Sequence, residues 1–178
     1  MTELVVLASA AGEPIGTAPK AEVHTTDTPL HFAFSAWLTC SGKVLVTRRA
    51  LGKLTWPGVW TNAFCGHPAP GEETGDAVLR RATFELGIAP GDLSTPQLIL
   101  PDFSYRAVDS SGTVENEICP VYTVELSTDA AWEPNPDEVD SYQWVEPAQL
   151  FAAADAMPGV FSPWMIDELA DDKLRAAL

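Results

Sequence analysis

Bases are scarce in this sequence, histidine is scarcer still, and no long apolar run is present. Ten Lys and Arg stand against 25 Asp and Glu in 178 residues, a formal net charge of −15. That excludes the basic footprint with which proteins hold nucleic acid. No stretch reaches the ~20 apolar residues of a membrane helix. The short run Leu4–Ala8 follows Glu3 with no basic residue before it, so it reads as a first strand and not as an export signal. The three cysteines, Cys40, Cys65 and Cys119, are odd in number and nowhere spaced C-x-x-C. This excludes a disulfide framework, a zinc ribbon and a thioredoxin-like motif, and fits a reducing cytoplasm. With no repeat, low-complexity tract or linker, one domain spanning residues 1–178 is expected. A monomer is the favoured state, with no membrane or nucleic-acid partner.

The few bases are unevenly placed. Lys20, Lys43, Arg48, Arg49 and Lys53 fall early, then Arg80, Arg81 and Arg106, and no further Lys or Arg occurs until Lys173. A small anion held by this region accounts for the clustering; so does solubility with chance placement.

Apolar alternation and turn residues predict strands at Leu4–Ala8, His31–Thr39, Val44–Thr47, Thr61–Cys65, Leu98–Ala107, Val114–Leu126 and Ser141–Val145. Ser41-Gly42 makes a hairpin of the second and third. Thr74–Leu86 has helical spacing at Ala77, Val78, Ala82 and Leu86, with Thr74 placed to cap its start and Gly87 just past its end. Pro147–Asp155 and Ser162–Leu178 read as later helices. The fold class is therefore α+β, an α/β sandwich with a mixed sheet flanked by helices.

Only His24, His31 and His67 occur. Cys65 and His67 share one face of an extended segment, as do Glu115 and Glu117. Two carboxylates on one face of a buried strand are costly unless they meet a cation or share a proton. Three imidazoles and two carboxylates suit octahedral Mn²⁺ or Mg²⁺ better than closed tetrahedral Zn²⁺, with Zn²⁺ also compatible. Surface histidines and an exposed glutamate face fit the same spacing. Cys65 fits a small buried hydrophobe as well as a reactive thiol.

Gly66, Glu72, Arg80, Glu85 and Gly87 fit the spacing of the Nudix box, a loop–helix motif that binds metal–diphosphate groups. Arg81 and Phe84 stand where Nudix hydrolases carry further glutamates. This degraded box, the string TNAFCGHP, the run YRAVDSSGTVENEICPV and the ending FSPWM together resemble the type 1 isopentenyl-diphosphate isomerases, from about Pro14 to about Trp164.

The resemblance implies a Nudix-like mixed sheet flanked by helices and an acid–base pair at Cys65 and Glu117. It implies a tyrosine, Tyr105, hydrogen-bonded to the catalytic glutamate, and a tryptophan, Trp164, facing the reacting carbons. A metal site formed by His24, His31, His67, Glu115 and Glu117 would take Mn²⁺, Zn²⁺ or Mg²⁺. A second cation, Mg²⁺, would bridge the diphosphate to Glu85 and to the Cys65 backbone carbonyl. Lys20, Arg49 and Lys53 would bind the diphosphate of a prenyl diphosphate substrate. Two rival functions remain at this stage: a Nudix diphosphohydrolase, and a non-catalytic binding module on the same scaffold.

Overall fold

The computed structural model describes residues 3–178. In chain order its elements are β1 (Leu4–Ala8), β2 (Pro14–Pro19), α1 (Lys20–Val23), β3 (His31–Phe32), β4 (Phe34–Cys40), β5 (Lys43–Arg49), β6 (Trp60–Thr61), β7 (Phe64–Gly66), α2 (Thr74–Leu86), β8 (Gln97–Leu100), β9 (Ser104–Val108), β10 (Val114–Ile118), β11 (Val121–Glu125), β12 (Val139–Val145), α3 (Pro147–Ala156), α4 (Pro163–Leu169) and α5 (Asp172–Ala177). The strands form two mixed sheets. One has the order β2-β1-β3-β10-β9; the other has the order β12-β5-β4-β11-β8, with β6 added to β5 and β7 to β4.

Three predicted strands are each divided between the two sheets. His31–Thr39 becomes β3 and β4, Leu98–Ala107 becomes β8 and β9, and Val114–Leu126 becomes β10 and β11. The divided chains lie side by side and pass from sheet to sheet together. Ala33 N–H donates to Ile118 O (2.9 Å), Ser35 N–H to Pro120 O (3.1 Å), and Cys119 N–H to Phe103 O (2.9 Å). Backbone groups that leave one ladder are thus paired before they enter the next, as buried amides must be. Pro120 has no N–H to offer a ladder and marks one break.

The run β4 is apolar on both faces because it is covered on both. Phe34, Ala36 and Leu38 pack with Ala77, Val78, Ala82 and Leu86 of α2. Trp37 faces the other way, into Trp164, Met165, Leu169 and Leu174 of α4 and α5. The expected Ser162–Leu178 helix is two helices: α4 ends at Leu169 with Ala170 as its C-cap, and Asp171 caps the start of α5 by accepting from Lys173 N–H (2.8 Å). Among the described residues no helix is long and apolar enough to cross a membrane.

Helix α2 has the predicted bounds, but Glu73 occupies the N-cap and no side chain caps the start; Thr74 is its first helical residue. At the other end Gly87 is left-handed at φ 68°, and its N–H donates to Thr83 O at 3.0 Å. A Cβ there would lie 2.5 Å from Glu133 O. Gly87→Ala is expected to lower the unfolding free energy by at least ~1 kcal/mol, seen as a lower urea midpoint at unchanged m-value. A wild-type midpoint would show that the Glu133 segment yields.

Candidate active site

The register of the first sheet puts three functional side chains in a row. Glu117 on β10 is the partner of His31 on parallel β3 and of Tyr105 on antiparallel β9. His24 follows α1, and His67 follows β7 on the second sheet. Ligand atoms of His24, His31, His67 and Glu117 all lie within 4.8 Å of one another. Glu117 Oε1 is 3.2 Å from His67 Nε2, 3.3 Å from His31 Nε2 and 3.9 Å from His24 Nε2.

His31 Nδ1 lies 2.9 Å from Pro29 O. A carbonyl only accepts, so Nδ1 carries the hydrogen and Nε2 of the neutral ring turns a lone pair into the cluster. A backbone carbonyl orienting an imidazole in this way is typical behind a metal ligand. His31 Nε2 also lies 3.2 Å from His67 Nε2, and His24 Nε2 is buried without a partner. Convergent imidazole nitrogens around one carboxylate oxygen fit a divalent cation. Burial, with further effects from His31 and Lys20, pushes His67 down to about 4, despite the opposing pull of Glu117. Burial would raise Glu117, but hydrogen bonds to the three imidazoles outweigh it and hold its carboxyl well below the usual range.

Glu115 stands beside this cluster and not within it. Its carboxylate accepts from the Thr55 hydroxyl and, at 2.6 Å, from Tyr105 O–H. The same phenol lies 3.0 Å from Glu117 Oε2. One hydroxyl hydrogen therefore serves two carboxylates. Burial, then Glu115 and Glu117, raise the phenol well above its ordinary range, so Tyr105 stays a donor.

Cys65 comes from the second sheet, where β7 places it opposite Ser35 of β4. Its sulfur is 3.7 Å from Ser35 Oγ, 3.5 Å from Asn62 Nδ2 and 3.6 Å from Asn62 Oδ1. Burial, then the charge of Glu168, push the thiol up. Trp164, fully buried on α4, donates its indole N–H to Asn62 Oδ1 at 3.1 Å. Its ring lies 5.7 Å from Tyr105, 5.4 Å from Trp56 and 5.3 Å from the Arg49 guanidinium.

One cavity of about 560 Å³ is lined by Cys65, His24, His67, Glu115, Glu117, Tyr105 and Trp164. Lys20, Arg49, Lys53 and Arg81 line it too, so three of the five early bases converge there, while Lys43 and Arg48 pair with Glu146 and Asp140 instead. Lys20 pairs with Glu3, and Lys53 with Glu138. Arg81, counted in the sequence both among the clustered bases and as a replaced box carboxylate, is thus part of the cavity wall. Glu85 does not reach the cavity wall: its Oε1 accepts from Arg81 Nε (3.0 Å) and Nη2 (2.6 Å). The other box residues fasten a loop. Arg80 grips both Glu72 oxygens at 2.7 and 2.8 Å and donates to His67 O at 3.1 Å, while Glu72 accepts from Ala69 N–H at 2.7 Å.

Residues 29–165 match the NUDIX domain model. The chain is 59% identical over 177 residues to the isopentenyl-diphosphate Delta-isomerase of Corynebacterium efficiens, covering 99% of this chain and 93% of the relative. It is 57% identical over 169 residues to the isopentenyl-diphosphate Delta-isomerase of Clavibacter sepedonicus, covering 94% and 86%. The chain belongs to the isopentenyl-diphosphate isomerases of the Nudix superfamily. The isomerase fold is shared with distant Nudix structures. The DR0079 protein of Deinococcus radiodurans superposes with a TM-score of 0.63 at 22% identity, covering 86% of this chain and 90% of that one. The MutT protein of Methanosarcina mazei gives 0.62 at 18% identity, covering 84% and 96%. In this isomerase Asn62 and Ser35 contact the Cys65 sulfur and Arg81 lines the cavity; Asn62 was visible as the second residue of TNAFCGHP.

Proposed function

We propose that the protein interconverts isopentenyl diphosphate and dimethylallyl diphosphate by protonation and deprotonation through a tertiary carbocation. The observation that carries this is one cavity reached by Glu117 from the first sheet and Cys65 from the second, with Trp164 and Tyr105 in its wall. We assign Glu117 as proton donor to the terminal alkene carbon. The alkene electron pair forms the new C–H bond and leaves the cation on the branched carbon. The Cys65 sulfur, entering the step as the thiolate after its proton has passed to solvent, takes a proton from the carbon next to the diphosphate-bearing one, and that C–H electron pair becomes the new double bond. In the reverse direction the two groups exchange roles, and solvent returns the proton between turnovers. Tyr105 orients Glu117, the Trp164 ring faces the cation through its quadrupole, and the aromatic wall shields it from water.

His24, His31, His67 and Glu117 would hold a divalent ion, Mn²⁺, Mg²⁺ or Zn²⁺, with Glu115 alongside. Such an ion supplies positive charge that tunes the acidity of the glutamate. Lys20, Arg49, Lys53 and, added to these, Arg81 bind the diphosphate. The enzyme works in the cytoplasm as a monomer, on a small-molecule prenyl diphosphate.

The pairing of Arg81 with Glu85 weighs against hydrolysis, because it neutralises a helix face that would otherwise gather cations. NMR of product formed in D₂O, run beside a phosphate-release assay, tests the proposal. Deuterium in dimethylallyl diphosphate with no phosphate or pyrophosphate released is the expected result; release without label identifies a hydrolase.

A further inference from the structure

Thr55 lies on the loop between β5 and β6, in the cavity wall beside Lys53 and Leu54, and is buried. The loop is pinned over the site. Lys53 N–H donates to Ala50 O at 3.1 Å, and Gly58 N–H donates to Arg49 O at 3.0 Å. Trp56, next to Thr55, takes a left-handed φ of 43°, a conformation costly to a bulky side chain and kept only where its surroundings impose it. Its ring stands edge-on to Trp164, with 5.4 Å between centroids.

Two groups of the cavity wall meet at Thr55. From β5, Arg49 donates through Nε and Nη2 to Thr55 O at 3.1 and 2.8 Å, and through Nη2 to the Thr55 hydroxyl at 3.0 Å. From β10, Glu115 accepts the Thr55 hydroxyl on Oε1. A guanidinium can only donate and an ionised carboxylate can only accept, so the direction of the hydroxyl is fixed. Its oxygen takes the arginine hydrogen, and its own single hydrogen goes to Glu115. The chain runs on through Tyr105, whose O–H donates to Glu115 Oε2 at 2.6 Å and lies 3.0 Å from Glu117 Oε2.

The Arg49 charge polarises the hydroxyl and strengthens it as a donor. Glu115 is buried and has one donor on each oxygen. These bonds use two of the roughly four lone-pair sites of a carboxylate, so the group is oriented without being used up. What remains is available to a cation at His24, His31, His67 and Glu117. Without the Thr55 hydroxyl, Oε1 has no other donor among the described residues, and a buried carboxylate oxygen left so is costly.

We infer that Thr55 is a positioning residue of the cation site: its hydroxyl, oriented by Arg49, sets the Glu115 carboxylate beside the histidine cluster. This rests on the divalent site proposed above. It joins the basic arm of the cavity to the metal arm through one side chain.

Two variants test it. Thr55→Val keeps the branched shape and removes the hydroxyl; Thr55→Ser keeps the hydroxyl and drops the methyl. In both, the backbone carbonyl still holds Arg49. Each protein, stripped of metal, is titrated with Mn²⁺ in the absence of substrate, with the free ion read by electron paramagnetic resonance. The kcat and KM on isopentenyl diphosphate are then measured at saturating Mn²⁺. Thr55→Val is expected to bind Mn²⁺ about tenfold more weakly, the lower end of what a lost supporting partner costs a metal site, with KM little changed. Thr55→Ser is expected to match the wild type in both readouts. Wild-type Mn²⁺ affinity in Thr55→Val overturns the inference, and so does a Thr55→Ser as weak as Thr55→Val, because the methyl would then be what matters. A raised KM with intact Mn²⁺ affinity also overturns it and puts the hydroxyl in the service of Arg49 alone. A wild type that binds no Mn²⁺ overturns it together with the divalent site. The titration uses no turnover: weakened Mn²⁺ binding in Thr55→Val alone, beside a wild type that isomerises nothing, upholds the role of Thr55 and removes the proposed reaction instead.

Discussion

Cys65→Ala is expected to cut turnover by about 10²–10⁴-fold, the range that a positioned acid or base contributes, with the protein still folded and its metal content unchanged. The Cys65 sulfur lies outside the cluster of His24, His31, His67 and Glu117, so its loss removes a proton acceptor and leaves the ligands alone. The truncation leaves Asn62 well supplied: its Nδ2 keeps Ser35 Oγ, Ala36 O and Phe64 O at 2.9–3.1 Å. The fold is therefore expected to survive, and KM to change little, because the diphosphate bases are untouched. Glu117→Gln is expected to fall at least as far, since it removes a proton donor and a candidate ligand at once. Steady-state kinetics with elemental analysis of both variants checks this. Either variant keeping more than about a tenth of wild-type turnover excludes its residue from proton transfer.

Metal removal is the second large effect. Exhaustive chelation is expected to abolish isomerisation, and a divalent ion to restore it. His67→Ala is expected to lose the ion from this one site. His67 brings the Nε2 that lies 3.2 Å from both His31 Nε2 and Glu117 Oε1, and the clasp of Arg80 on its carbonyl keeps the loop in place after the ring is gone. Missing one ligand from a small set costs a divalent site most of its affinity, as even a perturbed supporting partner costs 10–100-fold. Full occupancy in His67→Ala by elemental analysis would falsify the ligand assignment, as would full activity after chelation.

The His/Glu cluster was legible because its residue types are rare. Three histidines in the chain, a cysteine two before one of them, and two glutamates two apart on a strand leave few ways to arrange a site. The bounds of α2 were legible as well, since 3.6-residue spacing and Gly87 agree. The passage of β3 into β4 was not. Ala33 carries no turn signal, and apolar residues on both sides of the break look the same whichever sheet covers them. Glu115 could not be separated from Glu117 by spacing. What separates them is Thr55 and Tyr105, from distant segments. Glu168 was invisible because an acid on a late helix is read as exposed by default; its burial depends on Trp37 in β4.

The three chains that cross between the sheets tie the site to the far core. His31 and Glu117 lie on one side of the crossing, while Trp37 and Val121, packed against the C-terminal helices, lie on the other. No hinge separates them, because the crossing amides of Ala33, Ser35 and Cys119 are all bonded to neighbouring crossing chains. These three N–H groups should therefore exchange with deuterated solvent only through global opening, in the slowest class of the molecule. Local fluctuation at the cavity edge, around the exposed Leu54, can admit substrate without loosening the floor on which the proton is moved.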